Sequence, residues 1–518
     1  MLNRRLFLRR SAAGVLGGAW ARALPAEEGA ARPRLNLLVL MTDQHHAQWL
    51  GCAGHPLVKT PNLDRLARGG MRFTQAFVPV PYCSPTRLAI ETGLYPSSLG
   101  LGRNIEGKGD TDPLRLREPQ RVYQHPLAER GYACHQLGKW HLGMVPELSC
   151  FTDDDEQTVR RLMKERLTAA GQAAFDDRPR EGETEKIGEV WLRKDVSEAH
   201  TRWREEKGTP KQDVGVIGRS CRKPEYHYES ALADHCISLL KRHRSEPFAI
   251  TYSVSPPHAP WIAPAPYYDL YDPAKLPLPE TWKTPAEAWK NTAAGRMGRI
   301  YGEAGLREYL RCYAAQITMV DACVGRILGA LDELGLTDKT LVVFTSDHGN
   351  MLGQHGLMDK TLGAFYDDLM RVPLLLRLPG AIPAGEVSES LVSAVDLPPT
   401  FLDYLGAAVL PKAHGRTLRG VISGGEGGSQ AVFGERNEPK SPAAARMVRT
   451  KEWKLCLMPR GAQELYNLTK DPDETLNVSD DPANAGVVKA LKERLRKHMA
   501  EVGDQAVFKD VLPNQQPA

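Results

Sequence analysis

The stretch from Pro81 to Gly93 places a cysteine where an anion could bind. Cys83 stands two residues before Pro85 and four before Arg87, and Pro85 suits the first turn of a helix because its missing N–H is not needed there. A residue at that point faces unpaired backbone N–H groups and the positive end of the helix dipole. Arg87 adds a fixed positive charge. The stretch alone leaves the chemistry open, since an isolated cysteine is commonly structural or half of a disulfide.

Two predicted strands each end in an aspartate beside a neutral donor. The apolar runs 35–41 and 340–346 are typical of strands buried on both faces of a parallel sheet. Open α/β sheets bind ligands beyond the carboxyl ends of their strands. The residues at these two ends are therefore candidates for a common site, although an aspartate that caps the following helix is an alternative for the first. They are Asp43, Gln44, Asp347 and His348.

Further candidate residues lie in three predicted loops. Lys139 and His141 are two residues apart and point the same way if the backbone there is extended; a solvated turn is the alternative, and Trp140 excludes a P-loop. His258 lies at the tip of a proline-rich loop after a predicted strand, where a rigid backbone favours a functional histidine. Lys360 follows in a loop after the strand at 340–346.

The spacing around the cysteine resembles a known signature. Cys83-x-Pro85-x-Arg87 is similar to the motif of the formylglycine-dependent sulfatases, whereas a cysteine-dependent phosphatase loop would place its Arg six residues after the Cys. The match continues through Glu91-Thr92-Gly93, and the resemblance spans about 36 to 479, including the C-terminal run Glu464–Pro472. It implies that Cys83 is oxidised to 3-oxoalanine, also called formylglycine, by a separate maturation enzyme.

The resemblance also implies a site. In this family, acids from two strand ends bind one divalent cation, usually Ca²⁺, beside the formylglycine. In this sequence the implied metal ligands are Asp43, Gln44, Cys83, Asp347 and His348. The implied catalytic residues are Cys83, Arg87, Lys139, His141, His258 and Lys360.

Two ligand positions depart from the common pattern. Most relatives carry a second Asp where this chain has Gln44, and Asn where it has His348. The pair resembles a branch that includes choline sulfatases and phosphonate or phosphate diester hydrolases. An amide lowers the ligand charge and an imidazole is softer than oxygen, so the site shifts from Ca²⁺ toward Mn²⁺. Ca²⁺ remains the prediction, with Mn²⁺ as the alternative.

The implied chemistry is hydrolysis of a sulfate ester. The cation, Arg87, Lys139 and Lys360 would offset the charge of the sulfate oxygens. One hydroxyl of the hydrated aldehyde would attack sulfur. By family analogy His141 deprotonates the other, and His258, with Lys360, protonates the leaving alcohol.

The sequence leaves the substrate open, with sulfated carbohydrate favoured. Five tryptophans, at 191, 203, 261, 282 and 289, would suit stacking on sugar rings, although burial explains them equally well. Two alternatives remain. One is a phosphonate or phosphate diester hydrolase that uses the same modified residue. The other is a non-catalytic secreted protein that binds anions or glycans.

The predicted fold is α/β, with a large, mostly parallel mixed sheet sandwiched by helices in the alkaline-phosphatase-like manner. The catalytic domain is predicted over 34–425, with a charged surface insertion at 150–224 and a long loop at 262–305 before a helix at 308–334. A smaller α+β subdomain with an antiparallel sheet is predicted over 430–518.

The first residues resemble a twin-arginine signal peptide, predicted over 1–23. Removing its five arginines takes the formal charge from +4 to 4 − 5 = −1, so no basic patch argues for nucleic acid. The predicted location is therefore periplasmic or secreted, with the twin-arginine export machinery as a partner. Nine cysteines in an exported chain permit disulfides, but their spacing does not reveal pairs.

Overall fold

The structure is a computed structural model, and it describes residues 34–105, 120–143, 151, 155–176, 184–207, 215–361, 363–425, 428–436 and 444–506. The predicted signal peptide at 1–23 lies outside the described residues. So do parts of the predicted insertion and the last residues of the predicted C-terminal subdomain.

The strands of the described residues are, in chain order, β1 (Asn36–Thr42), β2 (Met71–Phe73), β3 (Ala76–Phe77), β4 (Ala133–Gly138), β5 (Thr184–Ile187), β6 (Val190–Arg193), β7 (Ile217–Ser220), β8 (Phe248–Ser253), β9 (Trp261–Pro264), β10 (Thr340–Ser346), β11 (Leu374–Arg377), β12 (Glu386–Ser388), β13 (Val392–Ser393), β14 (Val432–Arg436), β15 (Ala445–Arg449), β16 (Trp453–Leu457) and β17 (Gln463–Asn467). The helices are α1 (Pro61–Arg68), α2 (Cys83–Thr92), α3 (Pro96–Leu99), α4 (Gln124–Ala128), α5 (Asp155–Ala170), α6 (Lys194–Lys207), α7 (Tyr228–Arg242), α8 (Ala293–Glu333), α9 (Asp367–Met370), α10 (Leu397–Tyr404), α11 (Arg419–Ile422) and α12 (Ala485–Glu501).

The main sheet has seven strands in the order β12-β2-β11-β10-β1-β8-β4. Strands β10, β1, β8 and β4 run parallel, whereas β11 is antiparallel to both of its neighbours. This is the predicted mixed, mostly parallel sheet. Because Thr42 pairs with Ser346 in register, the residues that follow β1 and β10 emerge side by side at one edge.

Helices cover both faces of this sheet, as predicted. Along β1, Leu38 and Leu40 pack into one core with α1, α7 and α8. Leu37 and Val39 point to the opposite face, into a second core that includes Phe401 of α10. The alternation follows from the two-residue period of a strand, and a strand buried on both sides has to be apolar at every position.

Helix α8 is longer than the sequence suggested. The prediction of a loop over 262–305 is wrong at its end, because α8 begins at Ala293, interrupted at Gly302, where φ is 60°. The first turns of α8 contain glycines and polar residues, so they lack the apolar periodicity by which a helix is recognised in a sequence. By length and composition alone α8 could cross a membrane, but 78% of its most apolar window is buried inside the protein, which is typical of a core helix.

The charged insertion at 150–224 is more than a solvated excursion. Its strands β5, β6 and β7 form a four-stranded sheet with β9, which comes from the segment after His258. Trp203 of α6 is 6% exposed and packs in the same core as Trp261. With Trp289 also buried, three of the five tryptophans are core residues rather than free surfaces for sugar stacking.

The C-terminal region contains an antiparallel sheet in the order β14-β15-β16-β17, with α12 packed on it through Leu491 and Leu495. Lys454 of β16 is fully buried and pairs with Asp367 and Glu474. No disulfide joins any of the eight cysteines among the described residues, and Cys150 lies outside them.

Candidate active site

The floor of the site is a buried carboxylate pair. Asp43 follows β1 and Asp347 follows β10, both are 0% exposed, and Arg87 bridges them. Its Nε lies 2.8 Å from Asp347 Oδ2, and its Nη2 lies 3.3 Å from Asp43 Oδ2. The prediction that the two acidic strand ends meet is confirmed, because parallel neighbours deliver them to one edge.

Cys83 is the first residue of α2, whose N-cap is Tyr82. Its side chain is buried, with Sγ 3.7 Å from Asp43 Oδ1 and 3.3 Å from His348 Nε2. The thiol therefore stands directly over the carboxylates. Arg87 lies one turn along the helix, which is why the four-residue spacing brings both side chains to the same floor.

The four groups at Asp43, Cys83, Asp347 and His348 can offer ligand atoms that all lie within 4.8 Å of one another. His348 has its Nδ1 2.8 Å from the carbonyl oxygen of Gly349, which can only accept. Nδ1 therefore donates to that carbonyl, and Nε2, which faces the cluster, is the ring nitrogen that a metal ion would bind. These residues fit a divalent cation.

Gln44 adds a fifth donor. Its side chain is 0% exposed, and its Oε1 is buried without a hydrogen-bond partner among the described residues. A buried amide oxygen without a donor costs free energy, and a bound cation would satisfy it.

Burial and charge push the two carboxylates apart in acidity. Burial alone would raise the pKa of Asp43, but the positive charges around it, above all that of Lys139, hold that pKa well below its usual value. The pKa of Asp347 is raised by burial and by the negative charge of Asp43, against the opposing pull of Arg87. In return, the two aspartates raise the pKa of Arg87 despite its burial.

The thiol is in an electropositive environment. Burial and Asp43 raise the pKa of Cys83, but Lys360, Lys139 and His348 outweigh them and bring it well below its usual value. A lowered thiol pKa indicates a reactive cysteine rather than a structural one.

Three cationic or basic side chains form the half-buried rim. Lys360 Nζ lies 3.4 Å from Cys83 Sγ and 2.9 Å from His258 Nε2. Lys139 Nζ forms an ion pair with Asp43. Burial would lower the pKa of Lys360, yet the charges of Cys83 and the nearby aspartates raise it, so Lys360 is a cation at neutral pH.

His141 is the predicted catalytic residue that the described contacts tie least to Cys83. Its φ is 60°, so the backbone there is not extended and the condition for a shared direction with Lys139 does not hold. Its carbonyl oxygen accepts a hydrogen bond from Ser84 Oγ at 2.7 Å, which places it beside the first turn of α2. Its Nδ1 is buried without a hydrogen-bond partner among the described residues.

Sequence reasoning missed three residues that support the site. Ser253, at the end of β8, accepts a hydrogen bond from Arg87 Nη1 at 2.8 Å. Tyr313 of α8 donates to the Gln44 carbonyl oxygen at 2.7 Å, and Asp359 accepts from Gln44 Nε2 at 2.5 Å. Ser253 could have been found as the carboxyl end of a buried strand. The other two carry no local signal.

Comparison with known proteins decides the family. The Sulfatase family model matches residues 35–407, which is most of the chain, and an N-sulphoglucosamine sulphohydrolase C-terminal model matches residues 353–501. The chain belongs to the sulfatase family. This sulfatase is therefore a sulfuric ester hydrolase of the alkaline-phosphatase-like superfamily.

Named relatives of this sulfatase cover most of its length. It is 25% identical to an N-acetylglucosamine-6-O-sulfatase of Bacteroides thetaiotaomicron, over 93% of this chain and 89% of the relative. It is 26% identical to an ulvan-active sulfatase of Formosa agariphila, over 92% and 83%. The solved phosphonate monoester hydrolase of Agrobacterium radiobacter superposes with a TM-score of 0.71 at 25% identity, over 92% of this chain and 97% of that one.

Proposed function

We propose that this sulfatase hydrolyses sulfate esters of carbohydrates, with Cys83 converted to formylglycine and a Ca²⁺ ion bound beside it. The observation that carries the proposal is the position of the Cys83 thiol, buried at the start of α2 and within 3.4 Å of both His348 Nε2 and Lys360 Nζ. The carbohydrate class is supported by the relatives named for N-acetylglucosamine 6-O-sulfate and for ulvan.

In the mature enzyme the Cys83 Sγ position would be taken by an oxygen of the hydrated aldehyde. The anionic oxygens of a sulfate ester repel an incoming nucleophile, so the site must offset their charge. Arg87, Lys139 and Lys360 supply three positive charges around that position. A bound dication would add Lewis acidity and hold the sulfate oxygens.

The leaving-group proton is assigned to the pair formed by Lys360 and His258. His258 Nδ1 lies 2.8 Å from the Ala259 carbonyl oxygen, so it carries a proton, and Nε2 accepts from the Lys360 ammonium. The pair thus holds one proton at its contact. Transfer of that proton through His258 Nε2 would neutralise the departing alkoxide and leave both side chains uncharged.

The first test is the mass of the tryptic peptide 73–87 from protein produced with and without a formylglycine-generating enzyme. Conversion should lower the mass by roughly 18 Da, as expected from replacing SH and H by O. A peptide that carries Cys236 is the internal control, because this buried thiol should remain unmodified. An unmodified Cys83 after co-production would contradict the proposal and favour the non-catalytic binding protein.

The second test is substrate choice. His348 in the ligand cluster, Gln44, whose amide oxygen has no partner among the described residues, and the superposition on a phosphonate monoester hydrolase favour aryl phosphonate as a second candidate substrate. Parallel assays with an aryl sulfate, a 6-O-sulfated N-acetylglucosamine and an aryl phosphonate monoester separate the two. A higher kcat/KM on the phosphonate than on either sulfate would identify a phosphonate monoester, and not a sulfate ester, as the preferred substrate.

Metal identity and export belong to the same proposal. Metal analysis of purified protein should find one Ca²⁺ per chain, with Mn²⁺ as the competing outcome.

Residues 1–23 should direct twin-arginine export to the periplasm or beyond. Replacing Arg4 and Arg5 together by Lys should leave the protein in the cytoplasmic fraction, and unchanged export would refute this.

A further inference from the structure

The ligand set of this chain lacks a carboxylate at position 44, but one lies directly behind it. Gln44 Nε2 donates to Asp359 Oδ1 at 2.5 Å, and no other hydrogen bond to the Gln44 side chain is present among the described residues. Asp359 lies outside the ligand cluster, in the loop after β10 and directly before Lys360.

This contact decides which way the amide faces. A carboxylate can only accept, so the atom beside Asp359 has to be the NH₂ group of Gln44. The carbonyl oxygen Oε1 then points the other way, where it is buried and has no donor among the described residues. Without Asp359 the amide could turn and present an N–H to the cation position.

The backbone on both sides holds the pair in place. Gln44 has φ of 65° and Asp359 has φ of 70°, both in the left-handed region that few side chains adopt. The backbone N–H of Gln44 donates to Asp347 Oδ1 at 3.1 Å, and its carbonyl oxygen accepts from Tyr313 at 2.7 Å. These contacts hold the backbone of Gln44, and the hydrogen bond to Asp359 holds its side chain.

We propose that Asp359 is a positioning residue for the cation, which directs Gln44 Oε1 toward the metal and increases its negative character through the shared hydrogen bond. A carboxylate behind a ligand raises the basicity of that ligand. Asp359 thereby supplies, from behind Gln44, the negative charge that an aspartate at position 44 would bring to the cation directly. The inference rests on the proposed cation site.

The test is a cycle of cation affinities on full-length protein. Metal-free wild type, Asp359→Asn, Gln44→Ala and the double variant are titrated with Ca²⁺ by calorimetry. Asp359→Asn keeps the shape, and Asn tolerates the left-handed backbone. It should weaken binding about 10- to 100-fold in the wild-type background and by less than about 2-fold in Gln44→Ala, where the amide it orients is absent. Asp338→Asn, in an exposed turn before β10, is the matched control.

A charge exchange gives a second readout. Gln44→Glu alone places two carboxylates against each other and should bind Ca²⁺ poorly, whereas Gln44→Glu with Asp359→Asn moves the charge to the ligand and should recover affinity at least about 10-fold. Equal effects of Asp359→Asn with and without the Gln44 amide would overturn the inference. So would a double exchange no better than Gln44→Glu.

These affinities require no turnover, so the two proposals fail separately. If Cys83 stays unmodified and sulfate esters are not hydrolysed, but the cycle is non-additive, only the proposed function falls. If the enzyme is active and the cycle is additive, only the role of Asp359 falls. Thermal unfolding of each metal-free variant checks that a lost affinity is not lost folding.

Discussion

The contact between Lys360 and His258 predicts two different kinetic signatures for two substitutions. Lys360→Met removes a positive charge next to the reacting centre, whereas His258→Ala removes the imidazole that passes the proton to the leaving group. Lys360 Nζ and His258 Nε2 lie 2.9 Å apart. Of these two side chains, Lys360 is the one within hydrogen-bonding distance of Cys83 Sγ, at 3.4 Å.

The magnitude for Lys360→Met follows from that distance. At 3.4 Å, the Lys360 charge attracts a unit negative charge at the Sγ position by about 5 kcal/mol, at an effective dielectric constant of about 20. Loss of this term slows the reaction by about 10³- to 10⁴-fold, and it acts on every substrate because the charge stabilises the sulfate group itself. For His258→Ala the loss should be about 10²- to 10⁴-fold on sugar sulfates and less than about 10-fold on an aryl sulfate, since a stable phenolate needs no proton.

The assay is kcat/KM for a series of aryl and alkyl sulfates of increasing leaving-group pKa, measured on mature protein with verified conversion of residue 83. The slope of log kcat/KM against leaving-group pKa should steepen for His258→Ala. Lys360→Met should lower the whole line instead, because His258 can then take its proton from solvent. Lys470→Met, at an exposed turn of the C-terminal sheet, should leave the line unchanged. Equal losses on aryl and sugar sulfates for His258→Ala would refute the proton-donor reasoning.

Three further outcomes follow from buried charges. Arg87→Lys keeps the charge but loses the planar fork that bonds two carboxylates, so both Ca²⁺ affinity and the thermal midpoint should fall; unchanged calorimetric values would contradict this. Burial raises the pKa of Glu91 from 4.5 to about 8, so between these values the folded state keeps a proton that the unfolded state has lost. The free energy of unfolding of the protein should therefore decrease with rising pH by at most about 1.4 kcal/mol per pH unit. Glu91→Gln should flatten that slope in urea titrations between about pH 5 and 8. Lys454→Met removes the buried cation of Glu474 and leaves Asp367 with Arg449 alone, so it should cost about 3–5 kcal/mol of unfolding free energy in the same titrations.

The part of the site that sequence could predict is the part set by parallel-strand geometry. A buried strand has to be apolar throughout, so its end is marked by the first polar residues, and neighbouring parallel ends share an edge. This was enough to bring Asp43 and Asp347 together. The helix that begins at Cys83 was marked by Pro85, and the same helix brings Arg87 onto the floor.

The part that sequence could not predict consists of contacts between segments far apart in the chain. Asp359 meets Gln44 across 315 positions, and nothing in either local sequence marks the pair. The same holds for β9, which pairs with β7 and joins the charged insertion to the segment after His258. His141 shows where a conditional argument stops: a two-residue spacing predicts a shared direction only for an extended backbone, and the left-handed conformation at His141 removes that condition.

The charges of the site account for its preference for an anion. Two carboxylates, Asp43 and Asp347, face three cations, Arg87, Lys139 and Lys360, which leaves one positive charge in excess. Arg87 offsets only one of the two carboxylates, so the buried floor has a net charge of −1, and the two rim lysines bring the total to +1. A dication would raise the excess to three in a region where burial weakens screening. A ligand that brings negative charge on several oxygens is the one that relieves it, and the thiol position lies where those oxygens and the rim would meet.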